Sequence, residues 1–430
     1  MHKLTIWLNK IIITFTFTFI VFSPIAAQQQ ALTLEKVYQL ARENYPLIKE
    51  KGLIEKSAFL TIENIKTAYL PQISISGQAT YQSDVTSLPI KLPNINVPTI
   101  SKDQYRFVAD INQLVYDGGV IKIQKEIQQK TSLIDNQKIE VELYKLKDRI
   151  NQLYLGILLL NEQLEQNKLT KNNILIGIKM VKAQIANGTA FRSAQLVLEA
   201  QALQVDQKSI ELQANRKQLL RVLELFINQQ LNDDVQLKKP VVQSFSVDKN
   251  IDRPEMKLYD YQDSLWHKQR SLIVAKNLPK LSLFAEGGYG RPGLNLLQND
   301  FAFFGIGGLK FNWALSNLYT SKRDKEIVAV NQTINNVQKD VFLFNINAQL
   351  LQQQIEINKI EQLVSVDEKI IDIRKTITES SKSQLENGVI TSNDYLREIN
   401  ADDQAMSIFI LHQIQLLEAQ INYQNIKGNQ

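Results

Sequence analysis

One segment restricts the fold more than any other part of the sequence. From Gly119 to Asn187 apolar residues recur every three or four positions, and no proline interrupts them. This period predicts one α-helix, which at 1.5 Å per residue would be roughly 100 Å long. A helix of a globular domain has about 11 residues, so the segment does not belong to a compact domain. Its apolar positions include Ile127, Ile134, Val141, Ile150, Leu153, Ile157, Leu164, Ile178 and Ile185.

The same pattern returns later in the chain, from about Tyr319 to Asn387. At an offset of 200 residues, "IANGTAFRSAQLVLEA" (185–200) aligns with "LENGVITSNDYLREIN" (385–400). Nearer the start of each copy, "YLPQISISGQATYQ" (69–82) aligns with "NLPKLSLFAEGGYG" (277–290). Internal similarity of this length indicates duplication. We therefore predict two structural repeats, each made of a helix, two strands, a very long helix and a shorter helix.

The predicted boundaries begin with a signal peptide at 1–27. Lys3 and Lys10 precede a short apolar run, and "SPIAA" offers a cleavage site after Ala27. A membrane anchor is the alternative, but spanning a bilayer takes about 18 to 20 apolar residues. The first repeat then covers 28–240, with a helix up to Tyr69, a β-hairpin at 71–116 and helices at 119–187 and 190–230. The second covers 241–430, with a helix, a β-hairpin at 279–314 and helices at 318–387 and 391–427.

Each long helix is predicted to end in a tight turn. Asn187-Gly188 and Asn387-Gly388 provide C-terminal caps, with the glycine in the left-handed conformation. Thr391 followed by Asp394 predicts the N-cap of the next helix. Each repeat therefore contributes an antiparallel helical hairpin with a tight tip.

The strand segments alternate apolar and polar residues with a period of two. In 73–82 the odd positions are Ile, Ile, Gly, Ala and Tyr, whereas the even positions are Ser, Gln and Thr; the other three strands repeat this less strictly. Such alternation fits either a half-buried soluble sheet or the wall of a membrane β-barrel. Export and strands of about ten residues favour the barrel. Tyr81, Tyr105, Tyr289 and Trp313 are then the candidate membrane-interface aromatics.

Four strands do not close a barrel, because the smallest known barrels have about eight. An open sheet edge in lipid leaves backbone N–H and C=O groups unpaired. The chain is therefore expected to assemble with copies of itself. Three copies would give twelve strands, above a tube of twelve long helical segments.

Composition argues against an enzyme, a cofactor, a metal site or a nucleic-acid partner. The chain has no cysteine, and its three histidines, His2, His267 and His412, are far apart in sequence. The net charge of +5 is too small and too dispersed for nucleic-acid binding. The acidic pairs Asp233-Asp234 and Asp402-Asp403 are interpreted as solvated charges.

Gly288, Gly290 and Gly293 match the glycine pattern of dinucleotide-binding loops. That motif requires the last glycine to open a helix, whereas Arg291-Pro292-Gly293 predicts a turn. We therefore interpret these glycines as close-packing positions of a hairpin.

Taken together, the mature chain resembles the TolC-like outer-membrane efflux proteins. The resemblance depends on "LTLEKVYQLARENYPLIKE" (32–50), on Leu-Pro before the first strand of each copy, on "QLVYDGG" (113–119) and on "ENGVITSNDYL" (386–396). It implies a homotrimer with a twelve-stranded barrel in outer-membrane lipid and a periplasmic α-barrel about 100 Å long. It also implies a mixed belt around the middle, formed by 231–254.

The resemblance further implies partners at the helical tips. In such ducts the tips dock onto a periplasmic adaptor, which couples them to an inner-membrane pump of the RND, ABC or MFS type. Carried over by position, the expected docking surface comprises Ile185, Ala186, Asn187, Gly188, Thr189, Leu385, Glu386, Asn387, Gly388, Val389 and Ile390.

The periplasmic gate is a second element implied by the family. Its closed state is held by two carboxylates three residues apart, just after the second tip. Asp394 matches the first position, but Arg397 occupies the second, so an ion pair between them is the candidate gate. The alternative is that Asp394 serves only as a helix cap.

The predicted function is that of an outer-membrane channel subunit in a tripartite efflux or type I secretion system. The many Gln, Asn and Ser residues of the helices suit a water-filled lumen better than a dry coiled-coil seam. The chain is thus expected to be a passive conduit. A soluble periplasmic coiled-coil scaffold is the alternative. The sequence identifies neither the cargo nor the pump.

Overall fold

The structure is a computed structural model that describes residues 31–86, 99–241 and 250–428. The predicted signal peptide lies outside these ranges. Within them the fold is mainly helical with one antiparallel sheet. The first half runs through α1 (Leu34–Asn44), α2 (Ile48–Lys66), β1 (Gln72–Tyr81), β2 (Asp103–Tyr116), α3 (Val120–Ala186) and α4 (Arg192–Ile227).

The second half presents the same order of elements after one helix instead of two. It comprises α5 (Pro254–Lys276), β3 (Lys280–Arg291), β4 (Ala302–Asn312), α6 (Leu318–Glu386) and α7 (Ser392–Lys427). The long helices α3 and α6 are continuous over 67 and 69 residues. At 1.5 Å per residue each is roughly 100 Å long.

The first helical segment differs from the sequence prediction, which made it continuous up to Tyr69. It is divided into α1 and α2 at Tyr45, whose backbone is extended (φ −64°, ψ 128°). The cause is Pro46, because a proline disfavours helical backbone in the residue before it.

The start of α3 explains the Asp-Gly-Gly sequence that precedes it. The carboxylate of Asp117 accepts hydrogen bonds from the backbone N–H groups of Gly119 (2.8 Å) and Ile121 (2.6 Å). Gly118 has a φ of +75°, and a Cβ there would lie 2.7 Å from the carbonyl oxygen of Ala275. The glycine is therefore required where this turn passes the end of α5. In the second half Asn317 occupies the corresponding turn and donates to the carbonyl of Lys276 at 3.1 Å.

The four strands form one sheet in the order β1-β2-β3-β4, with all pairs antiparallel. Directly paired residues lie on the same face of a sheet. The register pairs Ile73 with Ile111, Leu283 with Leu309, and Tyr289 with Phe303. The apolar positions of all four strands thus share one face, as their alternation predicts, and much of that face is exposed in the single chain.

The long helices form an array rather than a closed bundle. The helix α3 packs against α2 and α5 in the half nearer the sheet, and against α4 and α7 in the other half. The helix α6 packs against α5 and α7. Along its whole length α6 forms one edge of the array. The other edge is α2 in the part near the sheet and α4 in the part near the tips.

The largest apolar core lies halfway along α3. There α1, the ends of α4 and α7, and residues 231–237 pack around Tyr154 and its neighbours. The Tyr154 side chain is fully buried, and its hydroxyl lies within hydrogen-bonding distance of the carbonyls of Leu32 (2.6 Å) and Lys238 (2.7 Å). Residues 231–238, at the start of the segment between the two halves, are thus held beside α1, at the level of the expected belt.

Candidate functional site

The two helical tips lie side by side at the end of the molecule remote from the sheet. The turn between α3 and α4 and the turn between α6 and α7 have the same geometry, with φ of +73° at Gly188 and +70° at Gly388. The side-chain amide of Gln184 donates to the carbonyl of Leu385 at 2.5 Å, which joins one tip to the other. Each turn is closed by a backbone hydrogen bond, from Thr189 to Gln184 and from Val389 to Gln384. The tips therefore form one surface.

Most of the expected docking residues are exposed, but one is not. The side chain of Leu385 is only 1% exposed and belongs to the core between the hairpins, with Tyr395 and Leu198. Its assignment to the docking surface is corrected on this ground, because a buried side chain does not contact a partner. Ile185 and Ile390 are partly buried against the same core. The remaining expected residues, Ala186, Asn187, Gly188, Thr189, Glu386, Asn387, Gly388 and Val389, are exposed.

An apolar residue that the sequence analysis did not include stands at this surface. Phe191 is 85% exposed, and Val389 on the other tip is 71% exposed. Phe191 aligns with Thr391 of the second copy, so the two tips differ at this position. A phenylalanine directly before a polar helix start was the signal that could have identified it. Together these side chains give the tip surface an apolar character.

Asp394 and Thr391 form a complete capping box at the start of α7. The Thr391 hydroxyl accepts from the backbone N–H of Asp394 (3.3 Å), and the Asp394 carboxylate accepts from the backbone N–H of Thr391 (3.2 Å). The Thr391 hydroxyl also donates to that carboxylate at 2.7 Å. These hydrogen bonds hold the pKa of Asp394 below its ordinary value. The interpretation of Asp394 as a helix cap is thereby confirmed.

Arg397 makes only a distant contact with Asp394. Its guanidinium lies 3.9 Å from the Asp394 carboxylate and 3.3 Å from that of Glu398. Its side chain is largely exposed. An ion pair at this distance and exposure contributes little in one chain. A gate at these residues stays a prediction about the assembled channel.

Asp402 and Asp403 are not the solvated charges that the sequence suggested. Both are partly buried on α7. Asp403 accepts hydrogen bonds from the hydroxyl of Thr170 and from the amide of Gln166 (3.2 Å). Burial, and then the charge of Asp403, raises the pKa of Asp402. Asp403 therefore belongs to the polar contacts between the hairpins.

Asp233, in the other acidic pair, agrees with the prediction of a solvated charge. Its side chain is exposed and forms ion pairs with Arg221 (3.1 Å) and Lys217 (3.8 Å). These contacts join the segment after α4 to that helix.

The two faces of the sheet carry different chemistry. The candidate interface aromatics Tyr81, Tyr105 and Tyr289 lie at the end of the sheet remote from the helices. Trp313 follows β4 at the helical end, where its indole N–H donates to the carbonyl of Asn277 at 3.0 Å. The outer end also has an aromatic cluster, in which the Tyr289 ring lies 4.7 Å from that of Phe303 and 5.5 Å from that of Phe301.

The opposite face is polar and charged. Arg106 forms an ion pair with Glu286 across the β2–β3 pair, and Arg106 also lies over the ring of Phe304 at 5.0 Å. Asp110 and Lys310 share this face by register. One apolar face and one polar face are typical of a barrel wall with lipid outside and water inside.

The glycines of the dinucleotide-like motif are explained by strand packing. Gly288 and Gly290 lie within β3, and no helix follows Gly293. A Cβ at Gly288 would lie 2.7 Å from the carbonyl oxygen of Phe107, and one at Gly290 would lie 2.6 Å from that of Tyr105. These glycines therefore do not form a phosphate-binding loop, as the Arg291-Pro292-Gly293 turn predicted.

Within the described ranges, no helix has both the length and the apolar character needed to cross a membrane. The same residues contain no group of three His, Asp or Glu side chains placed to hold a metal ion.

Comparison with known families decides the identity of the chain. The family model of the outer membrane efflux proteins matches residues 37–229, which run from α1 to the end of α4. Over this part of its length the chain matches the outer membrane efflux proteins. A comparison of its sequence with curated proteins finds no match.

Solved structures show that this efflux protein has the fold of outer-membrane channels. CusC superimposes with a TM-score of 0.68 at 13% identity, covering 92% of each chain. The MtrE channel of Neisseria gonorrhoeae, in its open state, gives 0.64 at 13% identity, over 92% of this chain and 89% of that one. The CmeC channel of Campylobacter jejuni gives 0.61 at 14% identity, over 92% and 85%.

The family match and the shared fold together indicate the general function of the chain. It is a subunit of an outer-membrane efflux channel, and the soluble scaffold is not favoured. The TolC-like resemblance drawn from the sequence is thereby confirmed.

Proposed function

We propose that three copies of the chain close into one continuous duct. Its upper part is a twelve-stranded barrel in the outer membrane, its lower part is a periplasmic α-barrel, and it conducts cargo passively. The observation that carries this proposal is that each layer of the single chain has two unpartnered edges.

Among the residues that the structure describes, the sheet has its open edges at β1 and β4. Each edge presents a row of backbone N–H and C=O groups without a strand beside it. In lipid such groups have no water to pair with, so an open edge is not tolerated. Pairing β1 of one copy with β4 of the next is a head-to-tail contact, and such contacts close into a ring.

The helices have matching open edges. An exposed apolar stripe runs along α6, mostly with steps of three and four residues, which is the 3.5-residue period of coiled coils. On the opposite edge, Leu53 and Leu60 of α2 are exposed seven residues apart near the sheet, and Leu196, Leu203 and Ile210 of α4 are exposed at steps of seven near the tips. These apolar residues face water in one chain and would be buried between neighbours in a ring. Near the sheet the α6 stripe comprises Ile327, Val330, Ile334, Val337, Val341, Phe344, Leu351 and Ile355, and near the tips Leu363, Val366, Ile370, Ile373 and Ile377.

The two faces of the sheet indicate which side of the closed barrel meets lipid and which side meets water. The apolar face would meet lipid, and the polar face with Arg106, Glu286 and Lys310 would line a water-filled lumen. Tyr81, Tyr105 and Tyr289 would then lie near the outer membrane surface, and Trp313 near the periplasmic one. This arrangement has aromatic residues at both interfaces, as is usual for such barrels.

The tips complete the proposed assembly at the other end. They lie roughly 100 Å from the sheet at the length of α3, and expose Phe191 and Val389. We infer that they receive the periplasmic adaptor, which connects the duct to an inner-membrane pump of the RND, ABC or MFS type.

Expression of the full chain followed by membrane fractionation tests the duct. The proposal expects an outer-membrane trimer that resists SDS until it is heated, and that raises the ion conductance of planar bilayers. Recovery of a stable monomer in the soluble periplasmic fraction would instead support the scaffold alternative.

A crosslinking experiment tests the adaptor separately. The chain has no cysteine, so Gly188→Cys or Gly388→Cys introduces a single thiol at a tip. Gly52→Cys is the matched control, since it lies in α2 with nothing within 4 Å of a Cβ there. Capture of an adaptor by the tip variants and not by the control supports docking. Equal capture by all three contradicts it.

A further inference from the structure

A hollow of about 480 Å³ lies directly below the sheet, between α5 and the first turns of α6. Nothing in the duct described above uses it. Its lining contains three cations, one carboxylate and an apolar rim. The main lining residues are Arg270, Leu318, Lys322, Lys325, Glu326 and Ala329.

The cations of the hollow are not neutralised by the protein. In the part of the chain that the structure describes, neither Arg270, Lys322 nor Lys325 forms an ion pair within 4.0 Å. By contrast Lys268, two residues before Arg270, pairs with Glu126 at 2.7 Å. Three cations facing one carboxylate, Glu326, leave a net positive hollow. An anionic ligand is what this charge attracts.

The position of the hollow along the molecule indicates what kind of anion would reach it. It begins six residues after β4 ends at Asn312, where the strand wall meets the helices. Leu318 at its rim is exposed, and so are Trp313 and Leu315 before it. Tryptophan is enriched where lipid tails meet headgroups. A ligand with an anionic head and an apolar tail matches both the cations and the rim.

The hollow stays open when copies associate along α6. Leu318, Lys322, Lys325 and Ala329 recur at steps of four, three and four residues, so they share one face of the helix. The apolar stripe that would meet a neighbour begins at Ile327, about 200° around the helix from Lys325. Ring closure therefore covers the stripe and leaves the hollow accessible.

The first repeat has only part of this arrangement. Alignment of the two copies puts Lys122 and Lys125 where Lys322 and Lys325 stand, and Glu126 where Glu326 stands. The third cation is missing, because Ile62 occupies the position of Arg270. Glu126 also differs from Glu326 in its pairing, since it contacts Lys268 at 2.7 Å. The complete set of three cations is thus specific to the second repeat.

We propose that this hollow binds the phosphate headgroup of an anionic phospholipid in the periplasmic leaflet of the outer membrane. Arg270, Lys322 and Lys325 contact the phosphate, and Leu318 contacts the start of the acyl chains. The proposal rests on the outer-membrane duct described above, to which it adds a lipid ligand for each copy.

Native mass spectrometry of the purified full-length protein, titrated with phosphatidylglycerol, tests the site. The hollow variant combines Arg270→Gln, Lys322→Gln and Lys325→Gln. The matched control, which also removes three exposed cations, combines Lys179→Gln, Lys182→Gln and Lys382→Gln near the tips. The hollow variant is expected to bind phosphatidylglycerol at least about tenfold more weakly than the control, because each basic residue near a membrane surface adds to anionic lipid binding. Lys322→Arg with Lys325→Arg should retain wild-type binding.

Three outcomes decide against the lipid. Equal phosphatidylglycerol binding by the hollow variant and the control, with both still trimeric in the outer membrane, overturns the lipid site and leaves the duct intact. Equally tight binding of phosphatidylcholine overturns the role of the anionic charge. Full displacement of the lipid by millimolar inorganic phosphate shows a free-anion site instead. Failure of the wild-type chain to form a membrane trimer would defeat the duct itself, before any lipid is added.

Discussion

The ring of Tyr395 covers Gly177 so closely that a Cβ at position 177 would lie 2.7 Å from the ring's Cε1 atom. Tyr395 is buried, and its hydroxyl donates to the carbonyl of Asn173 at 3.3 Å. The contact joins α3 of the first hairpin to α7 of the second, close to the tips. The position of the two tips relative to each other therefore depends on a glycine in the middle of a helix.

Gly177→Ala is expected to lower the melting temperature of the protein. Overpacking against a buried ring costs about 1–3 kcal/mol, which exceeds the gain of about 1 kcal/mol in helix propensity. Gly52→Ala is the matched control, because it adds the same methyl group to α2 where nothing lies within 4 Å. The control should be neutral or stabilising when thermal unfolding is followed by circular dichroism. Equal melting temperatures for the two variants would show that Tyr395 moves aside at no cost.

The capping box at Thr391 predicts a pH-dependent loosening of the start of α7. The pKa of Asp394 is lowered in the folded state, so its stabilising effect is present above the unfolded carboxyl pKa of about 3.9. The effect is lost as pH falls through the lower folded pKa. Amide hydrogen exchange at residues 391–395 should therefore accelerate, relative to the start of α4, below about pH 4. In Asp394→Asn this acid-induced change should be absent, and its persistence would assign the pH response to another group.

Thr391 itself can be varied without changing a charge. Thr391→Ala should destabilise the start of α7 by about 1 kcal/mol, whereas Thr391→Ser keeps the hydroxyl and most of the stability. Faster exchange in both variants would point to the lost methyl group rather than to the cap.

The gate proposal concerns Arg397 rather than the cap. If Arg397 and Asp394 constrict the periplasmic opening of the assembled duct, Arg397→Ala should raise single-channel conductance in planar bilayers. Arg192→Ala, which removes an exposed arginine after the other tip, is the control. Unchanged conductance in Arg397→Ala would exclude a gate at this residue.

Asp402→Asn is expected to raise the melting temperature at neutral pH. Burial and the neighbouring Asp403 raise the pKa of Asp402, so its ionised form is disfavoured in the folded state. Folding is therefore more favourable at pH below the unfolded pKa of about 3.9 than above the folded pKa. The gain from the substitution should accordingly disappear as pH falls toward 4. Asp403→Asn is the contrasting variant, since Asp403 accepts hydrogen bonds from Gln166 and Thr170, and it should destabilise at pH 7.

The apolar stripe of α6 predicts where the trimer is sensitive to charge. Val337→Lys places an ammonium group in the proposed interface and should reduce the heat-modifiable trimer in SDS gels. Gln338→Lys introduces the same side chain one residue further, off the stripe, where the native residue is also exposed. It should leave the trimer at wild-type abundance. If both variants assemble equally, α6 does not face the neighbouring copy.

The features that the sequence predicted well depend on neighbours along the chain. Ile73 and Ile75 share a face because side chains alternate in a strand, and Thr391 caps α7 through contacts three residues away. The burial of Leu385 and the hydrogen bonds of Asp403 depend on hairpins that are about 200 residues apart, and no local period reports on such a contact. The close approach of Gly118 to Ala275 is of the same kind. The exposure of Phe191 was not predicted, because an exposed apolar residue departs from the pattern of a polar tip.

The unpaired edges of β1 and β4 have a consequence for inheritance. In the proposed ring β4 of each copy pairs with β1 of the next copy. A chain whose β4 edge is blocked therefore leaves a gap that intact neighbours cannot fill. Such a chain would still pair with a neighbour through its β1 edge. Edge-blocking alleles should therefore be genetically dominant when expressed beside the normal gene, whereas alleles that prevent folding altogether should be recessive.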